Sequence, residues 1–321
     1  MDVPKYNFSL SVVIPVFNDE EALPELHRRL LEALKRLNST YEIIFVDDGS
    51  RDDSVRVLRE LQRQDPSMKI LELSRNFGQP NAISAGLDAS SGDILVLMDS
   101  DLQDRPEDIE LLLEAMLKSR ASMAIARWSH RGDSPLRVAA SAIFNSLANK
   151  ITSVQYVPRT RVFRVMKREV IEGLRQFHER TATPLSLLNW MGCDFVVVDL
   201  NRDSRYAGKS GYTLGRILKL SLDRIFSHSL FPIRLASVLG IFLGLISVLL
   251  AAYFVIQKLF LMKVVPGWTS IVVIILFLQG MSFLFMGIIG EYLGRIYIEA
   301  KKRPKYIVKR THEAGKGRDP E

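Results

Sequence analysis

Cysteine is almost missing from this sequence: Cys193 stands alone among 321 residues. That excludes a disulfide scaffold and any cysteine-based zinc cluster. Histidine is scarce as well, and His27, His130, His178, His228 and His312 include no pair at metal-ligand spacing. Only 19 Gly and 13 Pro accompany 47% hydrophobic residues, which excludes a fibrous repeat and a disordered chain. The N-terminus lacks an apolar run, so no signal peptide is expected. No G-x-G-x-x-G follows the first apolar stretch. Gly208-Lys209-Ser210 is not the end of a P-loop either, because Asp203 holds the earlier glycine position.

What is present is a mean hydropathy of +0.08 in a chain that is 25% charged with net charge +7. The placement of charge accounts for this. No charged residue occurs from Leu235 to Gln257, 23 positions, or from Val264 to Gly290, 27 positions. Either stretch, as a helix rising about 1.5 Å per residue, crosses a hydrocarbon core of roughly 30 Å. Two transmembrane helices are expected. Lysine and arginine crowd both outer flanks, whereas the connecting loop offers only Lys258 and Lys263. By the positive-inside rule both termini are cytoplasmic. Ahead of the first span, Tyr212–Ile233 sets Leu214, Ile217, Leu218, Leu222, Ile225 and Phe226 at helical period among basic residues. That pattern predicts an amphipathic helix on anionic headgroups. The pairs Gly240/Gly244 and Gly290/Gly294 have the small-residue spacing of close helix packing, leaving a homo-oligomer open.

The remainder is organised as 1–210 soluble domain, 211–233 juxtamembrane helix, 234–294 membrane hairpin and 295–321 basic cytosolic tail. Over residues 1–130, apolar runs at Leu10–Phe17, Glu42–Val46, Lys69–Leu73, Asp93–Met98 and Met123–Ala126 alternate with helical patterns. The helical segments are Glu21–Leu37, Ser54–Gln64, Pro80–Ala89 and Pro106–Lys118. This predicts a Rossmann-like, mostly parallel α/β sheet flanked by helices. Ligands of such sheets bind beyond the carboxyl ends of the strands. Acidic residues gather there: Asn18-Asp19-Glu20, Asp47-Asp48-Gly49-Ser50 and Asp99-Ser100-Asp101-Leu102-Gln103-Asp104. Two carboxylates two residues apart at a strand end suit Mg²⁺ or Mn²⁺, which complete their shells with water and substrate phosphates.

VVIPVFNDE at 12–20, VDDGSRDDS at 46–54, RNFGQPNAISAGLDAS at 75–90 and MDSDLQDRPE at 98–107 resemble the family-2 glycosyltransferases of GT-A fold. With two membrane helices following, the chain is most similar to the polyisoprenyl-phosphate branch, whose bacterial members include bactoprenol glucosyltransferases. The resemblance implies an inverting transfer of one sugar from a nucleotide donor to polyprenyl phosphate at the cytoplasmic face of a bacterial inner membrane. UDP-glucose is the favoured donor; GDP-mannose and a modified UDP-arabinose stay open. No nucleic-acid partner is expected.

Carried over by residue, the resemblance implies that Pro15, Phe17 and Glu20 line the nucleotide pocket and that Asp48 holds base or ribose. Asp99 and Ser100 would lie by the ribose, Asp99 and Asp101 at the metal, and Gln103 and Asp104 beside the sugar. Arg164 would complete the catalytic set. Arg127, Arg131, Arg202, Arg205 and Lys209 are the candidates for holding the lipid phosphate. One position departs from the pattern: Val162, in Arg161-Val162-Phe163-Arg164, replaces the acidic residue of a Gly-Asp-Phe-Arg segment. A lipid monophosphate has its second pKa near 6 and is already largely dianionic at pH 7, so it needs no protein base. The rival readings are a processive polysaccharide synthase, disfavoured by two spans and the lack of Gln-x-x-Arg-Trp, and a catalytically inactive nucleotide-binding scaffold.

Overall fold

Leu10–Val16 (β1) is buried at every position, as a strand covered on both faces must be. It lies at the centre of the sheet. The computed structural model describes residues 7–128, 160–200, 231–261 and 267–313. The other strands are Tyr41–Asp47 (β2), Met68–Leu73 (β3), Ile94–Leu97 (β4), Met123–Trp128 (β5), Thr160–Lys167 (β6), Phe195–Leu200 (β7) and Val308–Glu313 (β8). They form one sheet in the order β7-β5-β6-β4-β1-β2-β3-β8.

The pairings β1–β2, β1–β4, β2–β3 and β5–β7 are parallel. The antiparallel ones involve β6, between β4 and β5, and β8, on the edge of β3. The sheet is therefore mixed, and the five strands expected from the apolar runs are all present within one or two residues at each end. The helices of the unit that contains the sheet are Leu23–Leu37 (α1), Ser54–Gln64 (α2), Gln79–Ala89 (α3), Ile109–Ser119 (α4), Arg168–Arg175 (α5) and Pro184–Trp190 (α6).

Alternation along the strands divides the core in two. Val12, Ile14 and Val16 face a layer with Leu26, Leu30 and Leu34 of α1 and Leu112 and Leu113 of α4. Val13, Ile44 and Val46 face the opposite layer, with Ala82 and Ile83 of α3, Ile171 of α5 and Leu187 of α6. Each fully buried leucine contributes about 1.5–3 kcal/mol. At Gly86 a Cβ would collide with the Val13 side chain, so glycine sets how closely α3 lies on the sheet.

Two compact units make up the chain: residues 1–211 with 304–321, and residues 212–303. Sequence alone predicts a basic cytosolic tail over 295–321. Instead the last helix runs on to Ala300, and Val308–Glu313 enters the sheet beside β3, with Ile70 opposite His312. The second unit contains Phe231–Leu261 (α7) and Trp268–Ala300 (α8), both long and apolar enough to cross a membrane. Ile241, Val248 and Leu249 on α7 are about two-thirds exposed, apolar surface that water disfavours. A Cβ added to Gly240 would lie 3.8 Å from the Phe285 ring, while Gly244, Gly290 and Gly294 have open space around them. Most of the expected amphipathic helix falls outside the described residues.

Candidate functional site

The loops leaving β1 and β2 are laced together by side chains that accept backbone hydrogens. Asn18, in the left-handed region at φ 56°, donates its N–H to Ser50 Oγ (3.0 Å) and accepts from Arg51 N–H (2.8 Å). Asp19 N–H donates to Ser54 Oγ and Glu20 N–H to Asp52 Oδ2. In return, Asp53 N–H donates to Glu20 Oε2 at 2.6 Å. Glu20, expected in the nucleotide pocket, thus braces the neighbouring loop with one of its oxygens. Pro15 is buried inside β1, and Phe17 at the strand end is 42% exposed, an aromatic face open to a ligand.

Asp48, 2% exposed, accepts Phe77 N–H on Oδ1 (2.7 Å) and Gly78 N–H on Oδ2 (2.9 Å). It fixes the turn that opens α3, and each oxygen retains a further lone pair for a ligand. Burial pushes its carboxyl above the usual carboxylate range, with the two N–H bonds opposing. Asp47 closes its own turn by accepting from Gly49 and Ser50 N–H. Gly49 must be glycine there: φ is +71° and a Cβ would lie 2.6 Å from the Arg75 carbonyl carbon. Beside it, the Arg75 guanidinium lies 4.2 Å above the Phe77 ring.

Beyond β4 the chain turns through Asp99-Ser100-Asp101, with Leu102 in the left-handed region at φ 59°. Asp99 Oδ1 accepts from Gln79 Nε2 at 2.7 Å, and Asp101 Oδ1 from Gln103 N–H at 3.2 Å. Ser100 donates its hydroxyl to Asp19. Gln103 and Asp104 are buried at 7% and 2%. Arg164, 3% exposed, sits in β6 opposite Leu97, two residues before Asp99, and donates from Nε to Val162 O.

The geometry gives roles to residues that sequence alone does not assign to the site: Asn18, Asp19, Ser50, Ser54 and Gln79. Asn18, Asp19 and Ser50 lie in the loops just after β1 and β2, whereas Ser54 and Gln79 open α2 and α3. Arg127 forks onto Asp199 of β7 at 2.6 and 2.8 Å, so its guanidinium already faces a carboxylate. Arg131, Arg202, Arg205 and Lys209 lie outside the described residues.

Negative charge accumulates at the β4 turn. Asp19 is pushed above the usual carboxylate range by burial, against bonds from Ser100 and Phe17, and further by the charges of Asp101 and Asp52. Among the described residues no group of three or more His, Cys, Asp or Glu could hold a metal by itself. One or two carboxylates are what Mg²⁺ or Mn²⁺ use when phosphates supply the remaining ligands, and Asp99 with Asp101 fit that arrangement.

The family model described as glycosyl transferase family 2 matches residues 11–175, just over half of the chain. The SfII prophage-derived bactoprenol glucosyl transferase of Shigella flexneri is 38% identical over 304 residues, covering 94% of this chain and 98% of that one. The undecaprenyl-phosphate 4-deoxy-4-formamido-L-arabinose transferase of Proteus mirabilis is 33% identical over 305 residues, covering 94% and 93%. A solved mannosyltransferase, PcManGT from Pyrobaculum calidifontis, overlays 69% of this chain and 64% of its own length at 18% identity and a TM-score of 0.48. The strand-end site and the match over both its loops and its flanking helices agree: the chain belongs to glycosyl transferase family 2 and is a glycosyltransferase.

Proposed function

We propose that this enzyme moves a single sugar, glucose from UDP-glucose in the first instance, onto polyprenyl phosphate at the cytoplasmic face, with inversion at the anomeric carbon. The observation that carries the reading is the Asp99-Ser100-Asp101 turn, set in a site laced from β1 and β2, in a chain that also carries two membrane-length apolar helices. Relatives named for bactoprenol and undecaprenyl-phosphate substrates support the acceptor.

In this reading Phe17 offers a face to the base, and Asp48 presents its remaining lone pairs to base or ribose. Asp99 and Asp101 would hold Mg²⁺ or Mn²⁺, which when bound neutralises charge on the departing nucleoside diphosphate. Gln103 and Asp104 border the sugar. Arg164 places a cation next to the turn, and Arg131, Arg202, Arg205 and Lys209 remain candidates for the lipid phosphate. The acceptor, already dianionic near pH 7, attacks without a protein base, so Val162 is tolerated. Positioning is then the main demand on the protein.

The test is transfer from radiolabelled UDP-glucose, GDP-mannose and UDP-arabinose derivatives to undecaprenyl phosphate in membranes containing the enzyme and Mg²⁺. Labelled lipid from UDP-glucose in preference to the others is the expected result. Nucleotide binding without lipid product from any donor would mean an inactive scaffold, and growing polymer would mean a processive synthase.

A further inference from the structure

Gln79 is exposed, yet its side chain is committed: Nε2 donates to Asp99 Oδ1 at 2.7 Å, across 20 positions of sequence. Packing does not require that. An exposed glutamine gives up rotamer freedom to hold one geometry, so the bond is to be judged by what it does to the carboxylate. The backbone of Gln79 is fixed independently. Asp48 accepts Phe77 N–H on one oxygen at 2.7 Å and Gly78 N–H on the other at 2.9 Å. Asn81 Nδ2 donates to Phe77 O at 2.8 Å, and Pro80 sets the first turn of α3. Further along, Gly86 lets α3 lie close on the sheet. The amide therefore reaches out from a fixed point.

The bond spans the sheet. Asp48 follows β2 and Asp99 follows β4, with β1 between those strands. Neighbouring strands lie about 4.8 Å apart, which puts β2 and β4 roughly 10 Å from each other. Three consecutive residues, Phe77, Gly78 and Gln79, bridge that interval from one carboxylate to the other. The donor at the Asp99 end is also neutral. A side-chain amide orients the carboxylate and leaves its charge in place, whereas a lysine or arginine would cancel part of the charge that a divalent cation needs. Groups one step out from a cation act in this way, by orienting the residue that binds it.

We propose that Gln79 is a positioning residue: it presents the Asp99 carboxylate to the divalent cation and, through Phe77 and Gly78, makes cation binding respond to occupation of Asp48 by the nucleoside. The inference rests on the metal and nucleotide roles proposed above for these two carboxylates. A nucleoside that orders Asp48 tightens the cation, and by linkage the cation tightens the nucleoside by the same factor.

Uridine and guanosine test the coupling, because they offer base and ribose without phosphates that would ligate the metal directly. In the detergent-solubilised full-length enzyme, Mn²⁺ affinity is read from loss of the free-ion electron paramagnetic resonance signal, with and without saturating nucleoside. The parent should bind Mn²⁺ about five-fold more tightly in the presence of one of the two nucleosides. Gln79→Met keeps the length and removes the donor. It should bind Mn²⁺ about ten-fold more weakly and respond to that nucleoside by less than about two-fold. The Mn²⁺ concentration for half-maximal transfer should rise by the same factor, and excess Mn²⁺ should recover the rate. Unchanged Mn²⁺ affinity in Gln79→Met overturns the positioning role, even if Tm falls. A parental response to nucleoside in that variant, or no response to either nucleoside in the parent, overturns the coupling. Mn²⁺ binding that Asp101→Ala leaves intact overturns the metal reading itself, an outcome separate from the other two.

Discussion

Ser100 donates its hydroxyl to the Asp19 carboxylate, joining the loop after β1 to the middle of the Asp99-Ser100-Asp101 turn. The bond crosses 81 positions of sequence and ties together two acidic segments of the site. Ser100→Ala removes the donor and leaves a partly buried carboxylate beside Asp101. A hydrogen bond to a charged group is worth about 1.5–3 kcal/mol, so a ten-fold or greater rise in the KM for donor is expected. Because the bond joins two distant segments of the fold, a lowered Tm is expected as well. Steady-state kinetics with varied nucleotide sugar and thermal unfolding check the two.

Asp101→Ala should lower transfer by about 10²–10³-fold, the scale of removing one electrostatic stabiliser of a developing charge. Circular dichroism and membrane extraction should match the parent. Near-normal turnover would falsify the metal assignment of Asp101. Asp99→Ala should be milder, because Asp99 Oδ1 is held by Gln79 Nε2 at 2.7 Å, a closer bond than the 3.2 Å one from Gln103 N–H to Asp101 Oδ1.

Gly49→Ala combines a left-handed backbone with a Cβ 2.6 Å from the Arg75 carbonyl carbon. Strain of this kind costs about 1–3 kcal/mol. The same shift displaces the 75–78 segment that Asp48 holds. Both a lower Tm and a weaker affinity for donor are expected, measured by thermal scanning and by nucleotide titration.

Glu42 supplies a pH signature away from the active site. Burial raises its pKa, but bonds from Ser11 and Ser91 outweigh burial and hold it below its ordinary 4.5. Stability from this group is therefore present above pH 4.5 and lost as pH falls through the folded value. The stability difference between the parent and Glu42→Gln should shrink as pH is lowered from 7 to 4 in denaturant titrations. Asp47 and Asp48 have the opposite sign: burial raises both, so their contribution is fullest at low pH and declines as pH rises through the folded values.

Ending the chain at Ile307 removes β8 and strips the outer edge of β3. Glu72 then loses its 2.6 Å contact with His312, and Lys69 loses Glu313. An uncovered strand edge is a template for pairing between molecules. Self-association in size-exclusion chromatography and a lowered Tm are expected. Full-length His312→Ala should lower Tm while remaining dispersed.

The first five strands were legible because both faces of the sheet are covered, which makes them nearly continuous apolar runs. β6 and β8 were not. Arg161 and Arg164 interrupt the apolar run of β6, though Arg164 is itself buried between β4 and β5. Val308–Glu313 has no apolar pattern and becomes a strand through its partner, with Gln62 donating to His312 O and Ser74 N–H to Ile307 O. The site shows the same division. Acidic residues after strands could be found from sequence, but not which of their oxygens were already committed. Asp48 meets Phe77 across 29 positions and Glu20 meets Asp53 across 33, pairings that only the folded loops create.

The return of β8 to the sheet makes the apolar helix pair an insertion within the catalytic unit, not an appendage at its end. A protease that cut once between β7 and α7 would not release a soluble enzyme. The severed halves would stay joined through the five residue pairs between β8 and β3, and freeing the catalytic unit would require a second cut or denaturation.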